Sequence, residues 1–270
     1  MENTDGFYTA ALERFTKALE QAIVTSQTCA STDARHRRYW ASVLFTRICT
    51  SGVSMLWLSP GSPVNRNGLA WDFGAIASLT RNMFECSLTF FYIGIEAISD
   101  DESRMRLLVM QIHDCMGRLR MFRDFDPVDT QLPQFEAQAD ELRKELSANS
   151  SFVLLPEKQR KHLLKGEQPC ALTQDEILQR MGAFDRRTRG YYRFLSSHIH
   201  SLPLAFYKMS EHKRGHGVES HIEKGYMATA LDFAAGVLER ATTDMQMAFR
   251  DLVSFTPRTF NWNVLRGHGP

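Results

Sequence analysis

The sequence predicts an all-α fold, a bundle of long antiparallel helices with a small helical insertion. Three observations carry this. Apolar residues recur at helical spacing, and strand-like alternation is scarce. Breaker-rich stretches such as Ser59-Pro60-Gly61-Ser62-Pro63 divide the helical runs. Ser99-Asp100-Asp101-Glu102 and Thr173-Gln174-Asp175-Glu176 are capping boxes, which mark helix starts.

Taken in order, Phe7, Leu12, Phe15, Leu19 and Ile23 form the stripe of a first helix starting near Thr4. Thr32-Asp33 caps a second helix running to about Leu58. After the loop 59–68, a third and most apolar helix spans about Leu69 to Ile98. A fourth runs from the first capping box to Phe125-Asp126-Pro127. Pro127, Pro133, Pro156 and Pro169 then interrupt the chain, leaving short helices near 134–146 and 157–164. The second capping box opens a helix through residues 191–200, ended by Pro203 or kinked there. Residues 212–217 read as a loop, and the last long helix spans about Glu219 to Phe255. Its Ala228, Ala230, Ala234, Ala235 and Gly236 permit close approach of a neighbouring helix. The reading is one helical domain, 1–270, with the insertion at about 127–172 and a tail at 257–270 that docks through Phe260 and Trp262.

Composition bounds the function. Hydrophobic residues make up 43% of the chain and charged ones 23%, ordinary for a globular protein. With 32 basic and 31 acidic residues, any preference for a polyanion must come from a local patch. Cys29, Cys49, Cys86, Cys115 and Cys170 are scattered, which fits free thiols in a reducing, cytoplasmic setting. The polar, acidic start is not a signal peptide. The apolar stretches 43–58 and 84–98 are interrupted by Arg47, Glu85 and Glu96, so both read as core helices and no membrane association is expected.

The chemistry concentrates in Tyr191-Tyr192-Arg193-Phe194-Leu195-Ser196-Ser197-His198-Ile199-His200. On a helix Arg193, Ser196 and His200 share a face, with His198 off it. An arginine fork suits a phosphate, and a histidine moves protons near neutral pH. Arg193 would then bind a scissile phosphate, His200 or His198 act as general base or acid, and Ser196 position the substrate, with no metal or cofactor. Arg186, Arg187, Arg189 and Arg193 beside Tyr191 and Tyr192 also suit RNA, through phosphate contact and base stacking. The alternatives are a solvated helix face and a kinked helix end whose Ser196 and His200 satisfy backbone carbonyls. Arg81 and Glu85 lie i,i+4 on the most apolar helix. They form either a structural network or a substrate-binding arginine beside a glutamate that orients the cluster's histidine.

Arg193-x4-His198 and Arg193-x6-His200 resemble the Arg-x4–6-His motif of the HEPN superfamily, small helical domains that include metal-independent ribonucleases. The same spacing occurs at Arg106–His113 and Arg214–His221; its position and the neighbouring Tyr191, Tyr192 and Ser196 single out Arg193. The pair Arg81 and Glu85, followed by Leu195-Ser196-x-x-x-His200, also resembles an uncharacterised bacterial helical family with Arg-x-x-x-Glu and Leu-Ser-x-x-x-His motifs. That second resemblance implies no activity.

Three functions follow. One is a bacterial regulatory or defence-related interaction module with a polar Arg/Ser/His pocket and a homodimer or protein partner. The second is a HEPN-like ribonuclease acting on RNA. The third is a metal-binding bundle built on His198, His200, His212, His216 and His221, which lack the compact spacing of a known zinc motif.

Overall fold

The computed structural model describes residues 4–30, 32, 37–183, 185–200, 202–207, 209, 215–256 and 258–266. Asp33, Arg35, Ser201, His212, Lys213 and Arg214 lie outside them, and with them part of the expected cap at 32–33 and of the expected loop 212–217. The described residues are all-α. In chain order the helices are α1 (Thr4–Ala30), α2 (Arg37–Leu58), α3 (Phe73–Phe90), α4 (Asp100–Phe125), α5 (Leu132–Ala148) and α6 (Ser150–Val153). They continue as α7 (Glu157–Leu164), α8 (Gln174–Arg180), α9 (Arg186–Ile199), α10 (Pro203–Phe206) and α11 (His221–Phe249).

Two compact units emerge, one of residues 1–95 and 181–270, the other of residues 96–180. In the first, α1 packs on α11 and α2, and α3 packs on α2, α9 and α11. The core gathers Phe15 and Leu19 from α1, Phe45 and Ile48 from α2, Ile76 from α3, Leu195 from α9, and Leu231 and Leu238 from α11. Ala228, Ala230, Ala234 and Ala235 of α11 are buried. The tail is held by the Phe260 N–H donating to Glu20 (2.5 Å), with Trp262 and Leu265 against the core. The loop after α2 is pinned by the Tyr8 hydroxyl donating to the Pro60 carbonyl (2.9 Å).

Three expected elements change. The third helix starts at Phe73, where the Asp72 carboxylate caps it by accepting from the Ala75 N–H (3.0 Å). It ends in a π-helical turn, Phe91–Ile95. That turn presents Gly94 to α2, where a Cβ would lie 2.8 Å from the Ala41 Cβ and 2.9 Å from its Cα. The helix opened by Thr173 stops at Arg180, and α9 starts afresh after Gly182 (φ 68°) with its own N-cap, Asp185. The last helix ends at Phe249, not Phe255. Of the two capping boxes, Thr173–Glu176 is closed in both directions. Ser99 caps the Glu102 N–H, while the Glu102 side chain turns instead to Arg106.

All five cysteines are free thiols, and burial pushes Cys29 up to about 11 and Cys49 up to about 12. Among the described residues α2 alone is long and apolar enough to cross a membrane, and 44% of its most apolar stretch is buried inside the protein.

The second unit packs α4 against α5, α6 and α7 around Leu108, Ile112, Leu146, Phe152 and Leu163. Its conspicuous polar feature is Arg106, 1% exposed, which pairs with Glu96 (2.6 Å) and Glu102 (2.5 Å); Arg180 adds a contact to Glu96 (3.0 Å). A buried ion pair adds little net stability, but deleting one partner strands a charge. Arg106→Ala should therefore cost about 3–5 kcal/mol in chemical denaturation. Arg104→Ala, which breaks an exposed pair with Glu145, should cost about 0–1 kcal/mol.

Candidate functional site

Helix α9 is amphipathic in an unusual way: residues 186–199 contain four arginines and no acidic side chain. Asp185 starts it by accepting from the Thr188 N–H (2.6 Å), and that bond holds the Asp185 carboxyl below its ordinary value. The inward flank is apolar and aromatic. Leu195 is buried in the core, Tyr191 tilts against Phe233 (5.0 Å between centroids), and Tyr192 meets the edge of Phe84.

One cation crosses to this flank from α3. Arg81 is 8% exposed, and its guanidinium lies over the Tyr192 ring, 3.8 Å from the centroid. Its Nε–H donates to the Ser196 hydroxyl (3.1 Å), and its Nη1 pairs with Glu85 one turn along α3. Arg81, Glu85, Tyr192 and Ser196 thus come together. Glu85 spends its carboxylate on Arg81, with its side chain half exposed to solvent.

The two histidines part. His198 faces inward, its ring edge-on to Phe73 and close to Phe194 (both 4.8 Å). Its Nδ1 lies 2.9 Å from the Phe194 carbonyl, which only accepts, so Nδ1 carries a proton. His200 is the exposed C-cap residue, its N–H donating to the Ser196 carbonyl (3.2 Å).

On the outward flank Arg186, Arg189, Arg193 and His200 follow at steps of three, four and seven residues, all exposed. The rise of an α-helix separates Arg193 and His200 by about 10 Å. Arg193 and His200 therefore share the outer flank, while Ser196 borders the Arg81 network and His198 lies opposite. Among the described residues no three His, Cys, Asp or Glu side chains gather to hold a metal ion.

A second constellation has no counterpart in the sequence reading. Trp71, Asp72, Phe73, His198, Phe206 and Glu223 line a cavity of ≈ 200 Å³ beside the start of α3. Glu223 is 2% exposed, and its carboxylate accepts the Phe73 N–H (2.8 Å) and the Gly215 N–H (3.3 Å). Gly215 holds φ 71°, a backbone conformation that residues with a side chain rarely adopt. Ser220-x-x-Glu223 has capping-box spacing, and Ser220 does cap the Glu223 N–H (3.1 Å). The glutamate side chain reaches across to α3 instead, which spacing alone does not reveal.

A model of a family of unknown function (DUF5677) matches residues 38–216, more than half of the chain. No curated protein and no solved structure matches it.

Two groups of variants should separate anchor from surface. Arg81→Ala removes a buried hydrogen bond and a cation–π contact together, and should lower stability by about 2 kcal/mol in urea denaturation. Arg193→Ala and His200→Ala should stay within about 0.5 kcal/mol of wild type.

Proposed function

Because the chain belongs to the DUF5677 family of unknown function, we infer its role from the geometry of α9: it is an interaction module that binds a phosphate-rich polymer, RNA, along the outward flank of that helix. The observation that carries this is the exposed run Arg186, Arg189, Arg193 and His200 on a helix free of acidic side chains. A protein with a net charge of +1 attracts a polyanion only where cations are segregated, and here they are. Arginine forks fit phosphate oxygens bidentately, and spacing along one flank lets successive phosphates be met by successive side chains. Arg81 supports the reading indirectly. By satisfying Tyr192 and Ser196 on the inward flank, it fixes how α9 is rotated and so which residues face solvent.

A second reading has a specific observation behind it. Arg193 and His200 share the outer flank, exposed and away from the core; a HEPN-like metal-independent ribonuclease would need them to converge in an open cleft, such as one formed with a second copy. Arg193 would hold the scissile phosphate and His200 would take the proton of the attacking ribose hydroxyl. His198, turned inward beside Phe73, would serve positioning and not proton transfer.

Binding and cleavage are tested separately. In a gel-shift assay with labelled single-stranded RNA, the triple variant Arg186→Ala, Arg189→Ala, Arg193→Ala should bind at least about tenfold more weakly than wild type. Equal binding would remove the interaction reading. With chelator present, the ribonuclease reading predicts cleavage by wild type, its loss in Arg193→Ala and His200→Ala, and its persistence in His198→Ala. RNA left intact by wild type would leave binding as the function of this face.

A further inference from the structure

We infer that the cavity beside the start of α3 is a binding site for a small organic cation that donates N–H bonds, with a planar guanidinium the best match. The cavity lies within the first compact unit. It involves the flank of α9 opposite the arginines, so the inference stands apart from the polyanion reading.

The charge pattern comes first. Two carboxylates, Asp72 and Glu223, line the cavity, and no Lys or Arg is among its described lining residues. Glu223 is almost wholly buried, yet no cationic side chain among the described residues pairs with it. The neighbouring Lys224 turns away, to Asp5 (2.6 Å) and Glu219. A buried carboxylate without a counter-charge is costly unless hydrogen bonds or a ligand compensate it. The two backbone N–H groups satisfy one acceptor direction on each oxygen, and a carboxylate has about four in all. Glu223 lines the cavity, where its carboxylate can accept further N–H bonds, and a planar guanidinium offers two side by side.

The walls suit the same ligand. Trp71, Phe73 and Phe206 are aromatic, and aromatic rings attract organic cations while excluding the water that competes for Glu223. Asp72 keeps one oxygen on the Ala75 N–H and adds negative charge at the rim. A volume of ≈ 200 Å³ admits the head of such a molecule, not a folded peptide.

Isothermal titration of the full chain with agmatine, putrescine and tetramethylammonium tests this. Agmatine should bind, putrescine more weakly, and tetramethylammonium, which lacks N–H donors, at least about tenfold more weakly than agmatine. Glu223→Gln should weaken agmatine at least about tenfold. Because Glu223 also ties the Phe73 and Gly215 backbone, that variant is accompanied by Ala205→Leu, which fills the cavity and leaves those bonds in place. Ala205→Leu should abolish binding while helical content by circular dichroism stays unchanged. Absence of binding by wild type at about 10 mM agmatine would overturn the inference. So would binding undiminished in Ala205→Leu, or equal affinity for tetramethylammonium.

Discussion

The guanidinium of Arg81 is the interaction on which the candidate surface depends. It is a buried cation on an apolar helix, and it faces Tyr192 and Ser196 on a helix more than a hundred residues later. Desolvating that charge is tolerable only because the ring face, the hydroxyl and Glu85 share it. Those contacts fix the rotation of α9. With Tyr192 under the guanidinium and Leu195 in the core, Arg186, Arg189 and Arg193 have no course but outward. A rotation of α9 by one residue, about 100°, would bury arginines and expose tyrosines, so the anchor and the cationic flank are two consequences of one register.

The helix thereby separates two chemistries. Its outer flank is cationic and open to solvent, suited to a long flexible polyanion that brings its own charge. Its inner flank, at His198, borders a small cavity whose charge is of the opposite sign. His198 and His200 sit two residues apart in sequence but face these different environments, one packed against Phe73 and Phe194, the other exposed at the C-cap. Helical spacing already sets them on different faces, and the packing of His198 against Phe73 and Phe194 completes the division.

Much of the fold was legible because it depends on local rules. Apolar spacing, a capping box and prolines placed α1, α4, α5 and α7 within a few residues, and the cap at Thr173–Glu176 behaves as its spacing implies. The merged reading of α8 and α9 failed where no proline marks the break. The signals there are weaker, a glycine with positive φ at 182 and an aspartate N-cap at 185. The π-helical turn at 91–95 has no local signature, since it arises from the approach of Gly94 to Ala41 on another helix. In the candidate site, the spacing of Arg81 and Glu85 and the polarity of Ser196 were visible, and a structural network was one of two readings of the Arg81–Glu85 pair. What was not visible is Glu223. Its spacing to Ser220 reads as a cap, and only the fold reveals that its carboxylate crosses to α3. Arg106 was hidden for the same reason, because its partner Glu96, which it shares with Arg180, is set by tertiary packing.

The central claim is that α9 turns a nearly neutral chain into one with a local polyanion-binding face. The most direct test is the salt dependence of single-stranded RNA binding, read as log affinity against log salt concentration. Three phosphate contacts, from Arg186, Arg189 and Arg193, predict a slope near about −2, and loss of Arg193 should flatten it by about 0.7. An affinity indifferent to salt, or a slope unchanged when Arg193 is replaced by alanine, would contradict the account.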